Sequence, residues 1–156
     1  MNQFQYSYNF KITLEIEKST RRDYMVVYQE INLDVSMETA WNYLLDPKNW
    51  EHWWGRIRKA RWLYPGRFFP GYVKWERGNP SKVTGFVSDS RKSYITLESK
   101  FEAITFKLTD TYASGLEFQI AQEPQGGASF SDGGNAARKN IQEALRKFKS
   151  LVEETK

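Results

Sequence analysis

Apolar and polar residues alternate along residues 4–16, and this alternation predicts a β-strand with one buried face. Residues 24–35 repeat the same period after a polar stretch, so the two segments are predicted to form a hairpin. The period then lengthens to that of a helix. One apolar stripe at helical spacing consists of Met37, Ala40, Trp41, Leu44 and Leu45.

The boundaries of this first helix are indicated by residues with strong positional preferences. Ser36 suits the N-cap position. Pro47 ends the helix, because it lacks a backbone donor and disfavours helical geometry at Asp46. The same two residues can begin a second, short helix that Gly55 closes.

Three tryptophans share one face of the second helix, and they are Trp50, Trp53 and Trp54. The only histidine, His52, lies about 200° around the helix from Trp50, so it is predicted to face solvent. The tryptophan face has two interpretations that stay open at this point. It can form the wall of a ligand pocket, or it can pack the helix against a sheet.

The rest of the chain predicts six strands and one long helix. The strands are expected at residues 57–64, 68–76, 82–88, 94–101, 104–111 and 116–122, and the short turns between them favour antiparallel pairing. Asn135 is the predicted N-cap of a helix that runs to about Glu154. Glu143 and Lys147 offer an i,i+4 ion pair on its exposed side. Its apolar stripe consists of Ala137, Ile141, Ala144, Leu145, Phe148, Leu151 and Val152.

The composition limits the chemistry. The 156 residues suit one domain with one core. Cysteine is absent, which excludes a thiol nucleophile, a disulfide and thiolate metal sites. With a single histidine and no nucleophile-elbow motif, we predict no catalytic residue, no metal and no cofactor. No apolar run approaches the roughly 18 residues of a membrane span, and no secretion signal is present, so we expect a soluble, cytoplasmic protein.

The charge of the chain is +4, which gives weak support to a polyanionic partner. The basic run Arg56, Arg58, Lys59 and Arg61 stands beside Trp62, an arrangement that can bind phosphates and stack a base. Charges of this kind also protect an edge strand from association with another sheet. The second interpretation is favoured, and no nucleic-acid partner is predicted.

The order of these elements and several short motifs resemble the helix-grip superfamily (SRPBCC). The residues that carry the resemblance are VSMETAW at 35–41 with Leu44, Asp46-Pro47 and Trp50, then PGRF at 65–68, VTGFV at 83–87 and residues 145–153. That superfamily includes START lipid-transfer domains, birch-pollen-allergen-like proteins, bacterial polyketide cyclases and the activator of the heat-shock ATPase. The sequence is most similar to the polyketide cyclase and ATPase activator branches.

The resemblance implies an α+β helix-grip fold within a single domain of residues 1–156. Its curved antiparallel sheet of seven or eight strands is wrapped around a long C-terminal helix, and two short helices follow an early strand. Residues 24–154 correspond to the family core, and residues 1–23 add an N-terminal strand and turn. An internal cavity for a hydrophobic small molecule is also implied.

The residues predicted to line this cavity are mostly aromatic. They are Trp50, Trp53, Trp54, Trp75, Tyr94, Glu98, Phe106, Phe118, Phe130 and Ile141. The register of residues 94–101 decides the place of two of them. If Tyr94 and Glu98 face inward, as the resemblance favours, Glu98 is a candidate proton donor or acceptor. The hydrophobic pattern favours the other register, with Ile95 and Leu97 inward.

Three functions are compatible with these observations. The first is binding, transport or sequestration of a hydrophobic or aromatic small molecule, by a monomer or homodimer without stable membrane insertion. The second is a polyketide cyclase/aromatase-like enzyme, which needs ionisable groups that face the cavity. The third is a co-chaperone-like interaction protein, which needs an exposed patch.

Overall fold

The computed structural model describes residues 26–63, 71–76 and 80–154. The predicted strand at residues 4–16 and its hairpin lie outside these ranges. The described elements, in chain order, are β1 (Val27–Leu33), α1 (Met37–Leu45), a 3-10 turn (Pro47–Asn49), α2 (Trp50–Trp53), β2 (Arg61–Trp62), β3 (Tyr72–Lys74), β4 (Ser81–Val87), β5 (Lys92–Glu98), β6 (Glu102–Asp110), β7 (Leu116–Pro124) and α3 (Asn135–Glu154).

The seven described strands form one curved antiparallel sheet in the order β1-β7-β6-β5-β4-β3-β2. Helix α3 packs across β1 and β7 and also contacts α2. The sheet, the long terminal helix and the two short helices after β1 confirm the predicted helix-grip architecture. The core therefore lies between the concave face of the sheet and the helices.

The two short helices are joined by side-chain caps and by one buried indole. The Ser36 hydroxyl accepts from the Thr39 backbone N–H at 3.1 Å, as predicted for an N-cap. The Asp46 carboxylate accepts from the Lys48 N–H at 3.1 Å, so Asp46 begins the 3-10 turn. The Nε1 of Trp50 donates to the Leu44 carbonyl at 2.8 Å. That carbonyl is one of the last four in α1, and such carbonyls have no hydrogen-bond partner within their own helix.

Helix α3 has the predicted length but a different cap. Asn135, the predicted N-cap, is already the first helical residue, and the side chain that caps the helix is that of Asp132. The Asp132 carboxylate accepts from the backbone N–H of Ala136 at 2.9 Å and of Gly134 at 3.0 Å. Gly133, at φ 71°, helps the chain to double back far enough for this contact. The hydrogen bond from Ala136 is the main reason that the pKa of Asp132 is lowered.

The amphipathic pattern of α3 is confirmed. Of its predicted stripe, six residues are buried and Leu151 is half-buried. Glu143 and Lys147 form the predicted ion pair, with 3.4 Å between Oε1 and Nζ. Near the C-terminus of α3, Glu153 accepts from the backbone N–H of Asp34 at 2.8 Å and from Lys149 at 2.6 Å. These contacts attach the end of α3 to the turn after β1.

The strand predicted at residues 57–64 is wrong for most of its length, since β2 contains only Arg61 and Trp62. Residues 57–60 form a loop in which Lys59 has φ 53°, outside the extended region. The charged run is therefore mainly a loop feature. Arg61 alone among its basic residues lies in a strand, and β2 is at one edge of the described sheet.

Candidate functional site

Six aromatic rings meet between α2, α3 and the concave face of the sheet, and we call them the aromatic cluster. They are Trp50, Trp53, Trp54, Phe106, Phe118 and Phe148. None of the six is more than 3% exposed. The tryptophans come from α2 and the residue after it, two phenylalanines come from β6 and β7, and Phe148 comes from α3. The helix spacing read from the sequence places the three indoles together.

Trp53 lies at the centre of this cluster. Its ring centroid is 5.2 Å from that of Phe148, 5.4 Å from Phe106 and 6.1 Å from Phe118. These three contacts are edge-to-face, at interplanar angles of 73° to 87°, which is a favourable geometry for aromatic pairs. The protein's own rings thus fill much of the space between helix and sheet. These contacts support the interpretation of the tryptophan face as core packing.

The indole N–H groups divide the buried tryptophans into two kinds. Trp50 donates to a backbone carbonyl, and Trp41 donates to the Ser88 hydroxyl at 3.0 Å. The Nε1 atoms of Trp53 and Trp54 are buried, and among the described residues neither has a hydrogen-bond acceptor. A buried donor without an acceptor costs about 1–3 kcal/mol. These two N–H groups are therefore the polar atoms of the cluster that an acceptor from outside the chain would satisfy.

A group of polar side chains lies beside Trp54. The Arg56 guanidinium is 5.7 Å from the centroid of the Trp54 ring and forms an ion pair with the Glu102 carboxylate, at 3.3 Å through Nη1 and closer through Nη2. The amide of Gln122 donates to Oε1 of Glu102 at 2.9 Å. Glu102 and Gln122 stand on β6 and β7, so these contacts connect the loop after α2 to the sheet.

Two clefts adjoin this group at the surface, and both contain Gly55 and Arg58. The larger has a volume of about 600 Å³ and is lined by Gly55, Arg56, Arg58, Trp75 and Glu76. The smaller has a volume of about 400 Å³ and is lined by Glu51, Gly55, Ile57, Arg58 and Lys59. A Cβ added at Gly55 would meet no atom within 4 Å, so the chain leaves open space there. Because Gly55 follows Trp54 directly, the clefts lie next to the aromatic cluster.

The structure brings half of the predicted site residues into the aromatic cluster, namely Trp50, Trp53, Trp54, Phe106 and Phe118. Ile141 is buried on α3, and Phe130 is half-buried and packs against the same core. Trp75 lines the larger cleft. The exposed position of His52 agrees with the prediction from the helix spacing.

Tyr94 and Glu98 do not join these residues. In β5, Ile95 pairs with Phe106 and Leu97 pairs with Ile104, so this set faces the cluster. Tyr94 and Glu98 point to the opposite face, which corrects the register favoured by the resemblance and agrees with the one favoured by the hydrophobic pattern. Tyr94 is nevertheless buried, in part because its ring lies over Gly85, where an added Cβ would be 3.2 Å from Cε1 of the tyrosine.

Sequence reasoning missed several members of the site. Phe148 was recognised only as part of the α3 stripe, although its position there already directed it to the core. The pairing of Arg56 with Glu102 joins residues 46 positions apart and has no local sequence signal. Tyr43, whose ring is 5.6 Å from that of Phe148, has a raised pKa because of burial and the nearby Asp46 carboxylate. Its phenol therefore stays protonated at neutral pH.

Two further findings concern metals and membranes. Within the described ranges, no three His, Asp or Glu side chains are grouped as a metal site would require. None of the helices that the structure describes combines the length and the apolar composition needed to cross a bilayer.

No family model and no curated protein matches the sequence. Solved structures do share the fold. A hypothetical protein from Helicobacter pylori superposes with a TM-score of 0.65 at 10% identity, over 83% of this chain and 88% of that one. A protein from Nitrosospira multiformis has a TM-score of 0.63 at 10% identity, over 85% and 100% of the two chains.

A third similar structure is the di-domain ARO/CYC StfQ from the steffimycin biosynthetic pathway. Its TM-score is 0.62 at 11% identity, over 94% of this chain and 56% of StfQ. At such low identities the comparisons establish a common fold only.

Proposed function

We propose that this protein binds a flat, mostly apolar small molecule at the aromatic cluster, and that one or more acceptor atoms of this molecule meet the N–H groups of Trp53 and Trp54. The observation that carries the proposal is the pair of buried donors without acceptors. A ketone, ester or hydroxyl oxygen on the guest would recover the roughly 1–3 kcal/mol that each donor costs. The surrounding rings would contact its apolar body.

We expect a guest to enter the aromatic cluster by displacing the Trp54 ring. It follows the last helical residue of α2, where the backbone is already extended at φ −113° and ψ 104°. Gly55 and the open clefts come next along the chain. Trp53, held within the helix by four ring contacts, has no comparable freedom. Displacement of Trp54 toward the clefts would open the cluster while the fold stays intact.

The fold comparison supports a small-molecule role in general terms. A protein of the same fold is an ARO/CYC from a biosynthetic pathway, so the architecture is used where small organic molecules are handled. Because proteins of one fold carry many unrelated functional sites, this likeness does not identify the reaction or the compound.

The position of Glu98 speaks against the cyclase-like alternative, which needs an ionisable group that faces the cavity. Glu98, the carboxylate named for proton transfer, lies on the face of the sheet opposite the aromatic cluster. Binding without covalent chemistry requires no such group, and it is the function that the described geometry favours.

Native mass spectrometry of gently purified protein tests the proposal. We expect a non-covalent adduct with the mass of a small organic compound, which is lost in Trp54→Ala and retained in Phe101→Ala. Phe101 is 54% exposed and lies outside the cluster, so it is the matched control. If the protein carries no adduct, and a panel of planar aromatic ketones and esters also fails to bind it by calorimetry, the proposal is wrong.

A further inference from the structure

Three of the four basic residues that follow Trp54 border the clefts, and within the described part of the chain only one of these three lacks an ion-pair partner. Arg56 is paired with Glu102, and Nζ of Lys59 lies 3.8 Å from the Glu76 carboxylate. Among the described residues, the guanidinium of Arg58 has neither an ion-pair partner nor a hydrogen-bond acceptor. Arg58 is exposed and borders both clefts. It therefore offers a planar fork of N–H donors to whatever occupies them.

The backbone that carries Arg58 is fixed on both sides. Its carbonyl accepts from the N–H of Glu76 at 2.8 Å, and the next N–H, that of Lys59, donates to the Glu51 carboxylate at 2.8 Å. The side chain before it, Ile57, is 1% exposed and anchors the loop in the core. A cation on a fixed backbone loses less freedom when it binds an anion than one on a mobile loop does.

The larger cleft combines this cation with an aromatic wall. Trp75 is 8% exposed and lines it, together with Arg58 and Arg56. Each cleft also contains one carboxylate, Glu51 in the smaller and Glu76 in the larger, and Glu76 is partly neutralised by Nζ of Lys59 at 3.8 Å. Of the two clefts, the larger combines two arginines with a tryptophan, so it is the one suited to a negatively charged group attached to a flat ring.

We propose that the guest of the aromatic cluster carries one oxyanion, such as a carboxylate, which Arg58 binds in the larger cleft next to Trp75. Two parallel hydrogen bonds from the guanidinium match the two oxygens of a carboxylate. This inference rests on the proposed function, because it names the class of molecule that the same site takes up. The acceptor atoms near Trp53 and Trp54 belong to the part of the guest that enters the cluster.

Matched acid and amide probes test the inference. Binding of 9-fluorenone-2-carboxylic acid and its amide, and of three further acid/amide pairs on planar rings that carry a ketone, is measured by calorimetry with the full chain. We expect each acid to bind about fivefold more tightly than its amide, a modest ratio because Arg58 is exposed. Arg58→Gln should remove this preference and leave the amides unaffected. Raised salt should reduce the preference in wild type.

Arg146→Gln is the control, since Arg146 is exposed on α3 and borders neither cleft. It should keep the wild-type preference. If the amides bind and the acids have no advantage, or if the advantage survives in Arg58→Gln, this inference is overturned while the proposed function stands. If neither member of any pair binds, the proposed function fails and the inference fails with it.

Discussion

The contrast between Trp50 and Trp53 predicts opposite consequences for one and the same substitution. Both side chains are 0% exposed members of the aromatic cluster, and phenylalanine at either position keeps an aromatic ring while it removes the indole N–H. At Trp50 that N–H satisfies the Leu44 carbonyl. At Trp53 it has no acceptor among the described residues.

The magnitudes follow from these contacts. Trp50→Phe breaks a buried hydrogen bond and leaves a carbonyl unpaired, which costs about 1–3 kcal/mol. Trp53→Phe removes an unpaired donor and recovers about 1–3 kcal/mol. Loss of ring contact acts in the opposite sense, because Trp53 touches four rings and Trp50 touches two. Since phenylalanine retains part of each contact, we assign about 1 kcal/mol to this difference. Trp50→Phe should then be the more destabilising change by about 1–5 kcal/mol.

Urea unfolding followed by far-ultraviolet circular dichroism measures both variants without relying on tryptophan fluorescence. At an m-value of about 2 kcal/mol/M, the midpoint of Trp50→Phe should lie roughly 0.5–2.5 M below that of Trp53→Phe. The reverse order, with Trp53→Phe the less stable variant, would refute this reasoning, because the N–H of Trp53 would then carry no cost large enough to outweigh the lost ring contact.

Three further predictions concern parts of the fold outside the site. Glu153→Gln should lower the melting temperature by about 3 °C, because it weakens the contacts that tie α3 to the turn after β1, whereas Glu143→Gln, in an exposed pair, should change it by less than about 1 °C. Gly126→Ala should destabilise the protein more than Gly127→Ala in urea unfolding. Both glycines have positive φ, but only at Gly126 would the new Cβ lie 2.6 Å from a carbonyl oxygen. Equal effects of the two substitutions would contradict this reasoning. Backbone hydrogen bonds lower the pKa of Asp132, so its ionised form stabilises the protein above the unfolded pKa, near 3.8, and this contribution is lost as the pH falls through the lower folded value. The midpoint difference between wild type and Asp132→Asn should therefore be largest near neutral pH and shrink below about pH 4, and a difference independent of pH would refute the assignment of the cap.

Much of the fold could be predicted because its elements bury one face only. The stripe of α3 and the 3.6 period of α1 each have a single solution. Strand β5 shows where two sources of prediction disagree. The hydrophobic pattern favours Ile95 and Leu97 inward, in agreement with the strand pairing, whereas the resemblance favours Tyr94 and Glu98. The pattern gives no sharp contrast, because Ser93, Tyr94 and Ile95 are all buried although alternate residues point to opposite faces.

The candidate site was predictable only in part, for a similar reason. Helical spacing placed the three tryptophans on one face, but it carries no information about which indole N–H finds an acceptor. That depends on the Leu44 carbonyl at the end of α1 and on Ser88 after β4, which are contacts of the folded chain. The loop at residues 57–60 was mistaken for a strand because its alternating charges imitate an edge strand. Its shape is set by contacts to Glu51 and Glu76 from other parts of the chain.

The proposed function requires that the N–H groups of Trp53 and Trp54 have no acceptor until a small molecule binds. Nitrogen-15 spectra of the indole groups test this most directly. Each signal is assigned with a single tryptophan-to-phenylalanine variant, and 9-fluorenone-2-carboxylic acid, whose ring ketone is an acceptor, is added to saturation. The account predicts that the Trp53 and Trp54 signals move downfield and exchange more slowly with solvent, while those of Trp41 and Trp50, already bonded, stay in place. Signals of Trp53 and Trp54 that do not move while the probe is fully bound would contradict it.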